Sequence, residues 1–239
     1  MRRSATVGLS VLTLLAVPPS AFAWGPGVKG DGRLVTERRE LPGAFDAISL
    51  RGEVDARVKV GPPASVAVTI DSNLQPHVKL RVDGKTLVIE QDEDLRPAKD
   101  AYVEVTLPAL RAFSTSGSGD AHIEGSDGGD LELSTSGSGD LGWKGEARAL
   151  SVATNGSGDV LLEGRARTLS AATSGSGEVS ARELTVRDAE VRTSGSGDVS
   201  VRMDGGTLRA RTSGSGDVTY SGNASVEART SGSGEVIAR

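Results

Sequence analysis

One hexapeptide governs what this chain can become. Thr-Ser-Gly-Ser-Gly-Asp, with small variations, begins at Thr115, Thr135, Thr154, Thr173, Thr193, Thr212 and Thr230, at intervals of 20, 19, 19, 20, 19 and 18 residues. A fixed period in this range marks a small unit that cannot bury its apolar face alone and does so by stacking on its neighbours. The expectation is therefore a solenoid.

Counting each copy from its Thr as position 0 shows how the unit is built. Positions −4 and −2 are apolar in Leu131 and Leu133, Leu150 and Val152, Leu169 and Ala171, Ala189 and Val191, and Leu208 and Ala210. Positions +6 and +8 behave alike in Leu141 and Trp143, Val160 and Leu162, and Val199 and Val201. Alternation of this kind places every second side chain inside, so each coil reads as two short strands separated by turns, with the Thr pointing inward. Outward charges support an in-register parallel stack: +9 reads Glu124, Lys144, Glu163, Arg182, and −3 reads Glu190, Arg209, Glu227. Opposite charges then sit one rung apart, at about 4.8 Å. The glycines at +2 and +4 are expected to supply φ > 0 for a sharp corner. The fold class is all-β, a parallel β-helix with coils of about 19 residues, right-handed by the usual chirality of parallel crossovers.

The rest of the chain divides around this body. Arg2 and Arg3, an apolar run from Val7 to Val17 and the tripeptide Ala21-Phe22-Ala23 form a secretory signal peptide over residues 1–23. Residues 24–43 read as a linker or extended lead-in, 44–110 as an irregular β region and 111–239 as the regular repeats of one domain spanning 44–239. Within 44–110, Asp83-Gly84 signals a hairpin, Gln91 to Asp100 an exposed loop, and Gly52-Glu53-Val54 a degenerate Gly-[Asp/Glu]-Val corner of an early coil. No amphipathic helix and no second apolar segment of membrane length is apparent, so no integral membrane segment is expected in the mature chain.

Composition narrows the function classes. Removing Arg2 and Arg3 lowers the basic count from 27 to 25 against 32 acidic residues, a net charge of −7 that does not suit nucleic acid or anionic lipid. The protein has no cysteine, which rules out disulfides and lipid attachment at a cysteine. His77 and His122 are the only histidines and lack a nucleophile context, so both read as surface residues rather than members of a triad or a transition-metal site. Gly137-Ser-Gly139-Asp-Leu-Gly142 matches a dinucleotide fingerprint, but no helix follows it and no cofactor is expected.

The sharpest chemical feature is the acid at +5: Asp120, Asp140, Asp159, Glu178, Asp198, Asp217 and Glu235. These carboxylates form a line, and neighbours about 4.8 Å apart repel by roughly 1 kcal/mol even in water. Two arrangements offset the repulsion. Each carboxylate accepts backbone N–H bonds from its own corner or the adjacent coil, which is the expectation; the alternative is a row of bound Ca²⁺. Arg192, Arg211 and Arg229 at −1 are further candidates to neutralise the line.

The sequence resembles the head GIN domain family, described as a “putative auto-transporter adhesin”. The resemblance rests on Arg39-Glu40-Leu41-Pro42-Gly43-Ala44-Phe45-Asp46-Ala47-Ile48, the strand-rich block from Val54 to Leu107, and the repeated Gly-Ser-Gly-Asp corner. It covers the chain from Arg38 onward and implies a β-helical envelope or secreted protein, with no catalytic residues to transfer. No stretch of the chain reads as an outer-membrane barrel, so surface anchoring is not expected from it.

The functional expectation is an exported, non-enzymatic module, periplasmic, surface-associated or secreted, that contacts a protein or glycan partner through the +7 and +9 face. An uncapped coil edge at Arg239 is expected to allow association of copies. Calcium binding and polysaccharide processing are the alternatives. The second is disfavoured by short corners and by the inward positions of Trp143 and Tyr220.

Overall fold

A computed structural model describes residues 27–41 and 43–239; the signal-peptide expectation at 1–23 lies outside them. The expected alternation becomes strands throughout, and the only helical element among the described residues is a 3₁₀ turn at Gln75–His77.

The N-terminal part contains β1 (Val28–Lys29), β2 (Leu34–Arg38), β3 (Ala47–Gly52), β4 (Asp55–Val60), β5 (Ser65–Asp71), β6 (Val78–Asp83), β7 (Thr86–Gln91), β8 (Leu95–Arg96) and β9 (Tyr102–Leu107). β6 and β7 form the hairpin expected at Asp83-Gly84, with Gly84 at φ 61 in the first turn position, where a two-residue hairpin loop needs it. Two stretches carry more structure than the sequence suggested. The 24–43 lead-in contributes β1 and β2, and the 91–100 loop contains β8, which pairs with β1 and buries Leu95.

The repeats follow as β10 (Ala112–Gly117), β11 (Ala121–Glu124), β12 (Asp130–Thr135), β13 (Leu141–Thr154), β14 (Val160–Thr173), β15 (Val179–Thr193), β16 (Val199–Thr212), β17 (Val218–Thr230) and β18 (Val236–Ala238). All pair in parallel, each coil on the next, so the chain is a parallel β-solenoid. One expectation is corrected here. From β13 to β17 the two strands of a coil are not separate; they join into single strands of 13 to 15 residues. Besides the hexapeptide, register shifts after Leu161, between Ala181 and Thr185, between Val186 and Ala189 and between Asp204 and Thr207 interrupt the pairing.

The glycine corners are corrected too. Of the seven glycines at +2 only Gly117, at φ 144, has a φ that favours glycine, and none at +4 does. Their requirement is close approach. A Cβ on Gly137, Gly156 or Gly175 would lie 1.8, 1.9 or 1.9 Å from the carbonyl oxygen of the +2 glycine one rung earlier. The rungs therefore stack backbone on backbone at the corner, and the bonds Ser157 N–H to Gly137 O (3.0 Å) and Ser176 N–H to Gly156 O (3.0 Å) use that proximity.

Stacking order departs from chain order at the N-terminal end. β3 pairs with both β10 and β7, and β4 with both β11 and β9. The coil containing β3 and β4 thus lies between the first regular coil and one formed later in sequence by β7 to β9. Outside these, β6 and β5 run antiparallel to β7 and β9, and β2 runs antiparallel to β5. The early-coil expectation holds, but its register shifts by two: Gly117 pairs with Gly52, so Gly52 is the +2 glycine and Asp55, not Glu53, occupies +5.

A single apolar core runs the length of the stack. Leu133, Val152, Leu162, Val191 and Leu208 are at most 2% exposed. Each such side chain contributes roughly 1.5–3 kcal/mol relative to exposure. Trp143 is buried, as its inward position predicts, and Thr115, Thr135, Thr154, Thr173, Thr193 and Thr212 form a buried column beside it. On the last rung the inward positions Val226, Ala228 and Thr230 are half-buried or exposed, since only β18 lies beyond β17.

Candidate functional site

The acid line is built by the corner itself. Asp120 donates its N–H to Asp55 Oδ1 at 2.9 Å, Asp140 to Asp120 Oδ1 at 2.8 Å, and Asp159 to Asp140 Oδ1 at 2.8 Å. The pattern continues from Glu178 to Asp159 (2.7 Å), from Asp217 to Asp198 (2.8 Å) and from Glu235 to Asp217 (2.8 Å). Each Asp carboxylate thus anchors the next rung, and the bond to an anion offsets the repulsion along the line. Asp55 is a member the sequence reading missed, because it lies outside any hexapeptide. Burial, and then the charge of Asp120, raise its pKa above the ordinary Asp value, against the lowering effect of the Asp120 N–H.

Glu178 breaks the pattern. No bond runs from Asp198 N–H to its carboxylate, which instead accepts from Arg182 at 3.1 Å. Among the described residues, no group of three or more His, Asp or Glu is arranged to hold a metal ion.

The outward charge columns are partly as expected. Lys144 pairs with Glu163 at 3.0 Å, which raises the lysine pKa, and Arg209 pairs with Glu227 at 3.1 Å. Arg182 is not above Glu163. A register shift after Leu161 places Glu183 there, because the coil from Thr173 carries an extra residue. The −1 arginines do not serve the acid line either: Arg192 and Arg211 both bind Glu190 Oε1, at 2.5 and 2.7 Å. These contacts, Arg211 foremost, hold the Glu190 carboxyl below its ordinary pKa. His77 contacts Asp92 at 3.0 Å and His122 lies 3.6 Å from Glu124, both on the surface.

The +7 and +9 face expected to contact a partner carries a trough of about 520 Å³ beside the first regular coil, lined by Arg57, Lys59, Glu104, His122 and Glu124. The outward face of the strand leading into each corner is open as well. Two troughs lie side by side on it. One, of about 550 Å³, is floored by Ala149, Ser151, Thr168 and Ser170 and flanked by acids such as Asp130 and Glu190. The other, of about 520 Å³, is lined by Arg192, Arg211 and Arg229 with Ser174, Ser194 and Ser213. The −1 arginines were visible in the sequence, but their common trough depends on rung stacking.

Residues 44–224 match the family described as “Putative auto-transporter adhesin, head GIN domain”. The chain belongs to that family. Solved structures share the fold. A “putative adhesin” from Bacteroides fragilis superposes with a TM-score of 0.82 at 24% identity, over 89% of this chain and 100% of that one. A “Putative lipid binding protein” from Parabacteroides distasonis gives 0.72 at 25% identity, over 89% and 99%. A “putative adhesin” from Parabacteroides merdae gives 0.68 at 22% identity, over 89% and 98%. Among curated proteins none matches. No helix among the described residues is long and apolar enough to cross a membrane.

Proposed function

We propose that the protein is an exported, non-enzymatic binding module of the cell envelope or its surroundings, adhesin-like in action, holding a protein or glycan partner on the outward columns of the solenoid. The observation that carries this reading is a division of labour. The inward positions and the glycines and acids of the hexapeptide serve the framework, whereas the troughs beside Arg192 and Ser170 expose outward side chains, the arginines at −1 and the serines at +1 among them. Family membership supports the adhesin-like class, in keeping with the Bacteroides fragilis protein being described as an adhesin, and fold alone is not a warrant for more.

The test is a binding screen of the chain from Trp24 onward against envelope glycans, matrix proteins and lipid vesicles, with cell fractionation of the full chain to follow export. Binding to a glycan or protein sustains the reading, and no binding to either class overturns it. The same samples decide the calcium alternative: a melting temperature raised by millimolar Ca²⁺ and restored by chelator would establish it. Association of copies through the exposed β17–β18 edge belongs to the same reading. Light scattering checks it, and a strict monomer at high concentration removes it.

A further inference from the structure

The trough lined by Arg192, Arg211 and Arg229 has an electrostatic imbalance. The three residues are in register on successive rungs, about 4.8 Å apart along the stack. Like charges at that separation repel by roughly 1 kcal/mol in water. Glu190 is shared between Arg192 and Arg211, and no ion pair reaches Arg229 among the described residues. Three cations therefore face one anion, with the arginine side chains of the shared pair 53% and 45% exposed. Glu190 Oε1 accepts from both guanidiniums, which ties Arg192 and Arg211 to one point on the outward face. This happens in a chain whose net charge is −5, so the patch is a local reversal of sign.

A second column sets the chemistry of what would lie there. Ser194, Ser213 and Ser231 at +1 line the same trough. Each hydroxyl donates to a main-chain carbonyl one rung earlier, Ser194 to Thr173, Ser213 to Thr193 and Ser231 to Thr212, all at 3.4 Å. These contacts are long for O–H···O bonds, and each carbonyl already accepts the same serine's N–H at 2.9 Å, so the hydroxyls are free to turn and offer the trough both a donor and acceptors. A phosphate ester would use them chiefly as donors; a sugar ring, whose hydroxyls both donate and accept, uses both capacities. Arginines supply bidentate donors for a carboxylate. No aromatic side chain lines the trough, so it offers no platform for stacked bases. A duplex nucleic acid, with a charge per roughly 1.7 Å of axis, carries far more charge than arginines spaced about 4.8 Å can match, so it meets the net negative field of the protein more strongly than a sparser polyanion does.

We propose that this trough binds a linear acidic polysaccharide of the polyuronate type, lying along the solenoid axis. Successive carboxylates take Arg192, Arg211 and Arg229, and ring hydroxyls exchange hydrogen bonds with Ser194, Ser213 and Ser231. The site rests on the binding-module reading and specifies its ligand class. The columns are an extended register of rungs, so longer oligomers bind more tightly until the three arginines are filled.

The experiment measures binding of the mature chain to polygalacturonate, its methyl-esterified form, polyphosphate and anionic phospholipid vesicles. The variants are a triple Arg192→Gln, Arg211→Gln, Arg229→Gln and a control triple Arg165→Gln, Arg167→Gln, Arg202→Gln, which removes the same charge from exposed arginines elsewhere. Circular dichroism and melting confirm that both remain folded. The expected result is salt-sensitive binding of polygalacturonate, lost by about tenfold or more in the first triple, retained within about twofold in the control, and absent for the ester. Equal binding by both triples overturns the site while leaving the binding-module reading intact. Polyphosphate or vesicles bound in preference to polygalacturonate overturn the ligand class. No binding to any glycan, protein or vesicle overturns both proposals.

Discussion

The regular rungs from β12 to β17 and the N-terminal cap from β2 to β9 are made of the same alternating strands, yet they are held together differently. In the rungs, the same atoms recur: glycine on glycine carbonyl, Asp carboxylate on the next Asp amide. In the cap, single residues make bonds used once. Asp71, fully buried, accepts Gly32 N–H at 2.6 Å and Ala98 N–H at 2.9 Å, pinning β2 and the segment after β8. Gln75, 3% exposed, donates to the carbonyls of Val35 and Val68 at 2.9 Å each and accepts from Arg39 at 2.8 Å. Repetition makes the rungs insensitive to any one exposed residue but intolerant of a new atom in the stack. The cap depends on individual polar residues where β2, β5 and β6 run antiparallel, outside the parallel ladder that β3, β4, β7 and β9 continue.

The sharpest way to break this contrast is Gly156→Ala. The new Cβ would sit 1.9 Å from Gly137 O, a backbone atom that cannot rotate away, so a loss of about 3 kcal/mol or more in urea unfolding is expected. A variant as stable as wild type would show that the corners are not closely stacked. In the cap, Asp71→Ala leaves two amides without their acceptor and is expected to cost about 2 kcal/mol, with hydrogen exchange rising at Gly32 and Ala98 before the rungs respond. Uniform exchange across both regions would erase the distinction.

Smaller effects test the ladder. Asp140→Ala removes the acceptor of Asp159 N–H and should cost about 1 kcal/mol, whereas Glu178→Asp should stabilise by a few tenths to 1 kcal/mol by giving Asp198 N–H the acceptor it lacks. A lower melting temperature for Glu178→Asp would contradict the ladder geometry. The least change is expected at the junction of the two regions. Asp55 has a raised pKa in the fold, so its contribution is favourable below the unfolded Asp value near 3.9 and is lost as pH rises through the folded value. Asp55→Asn keeps an oxygen for Asp120 N–H and removes the charge. It should stabilise by a few tenths of a kcal/mol at pH 7 after solvent screening, with no gain at pH 3. A gain that grows on acidification has the wrong sign.

Much of this was legible in the residues. The period of Thr115 to Thr230 gave the stacking, and the apolar positions of Leu150, Val152 and Val160 gave the interior, because a two-residue alternation leaves one face for the core. The carboxylate role at +5 was also readable from the chemistry of Asp beside glycine. Errors arose where a neighbour in space decides. Glycine has two distinct uses, and only the distance to the rung below shows that close approach, rather than φ, is the need at Gly137 and Gly156. Arg182 left its column because one inserted residue shifts pairing after Leu161. Arg192 and Arg211 turned to Glu190 because that carboxylate lies on the same outward face, a proximity that spacing along the chain does not express.

By itself the sequence determined the unit: a coil of about 19 residues, its inward and outward positions, and its parallel register, since a repeat that buries one face has one economical way to meet its own copy. Only the tertiary structure decided the order of the coils at the N-terminal end, where β3 and β4 lie between β10 and β11 on one side and β7 and β9 on the other. A strand with both edges open accepts either neighbour by the same backbone bonds. The choice falls to the side-chain contacts of the complete core, which no local pattern contains.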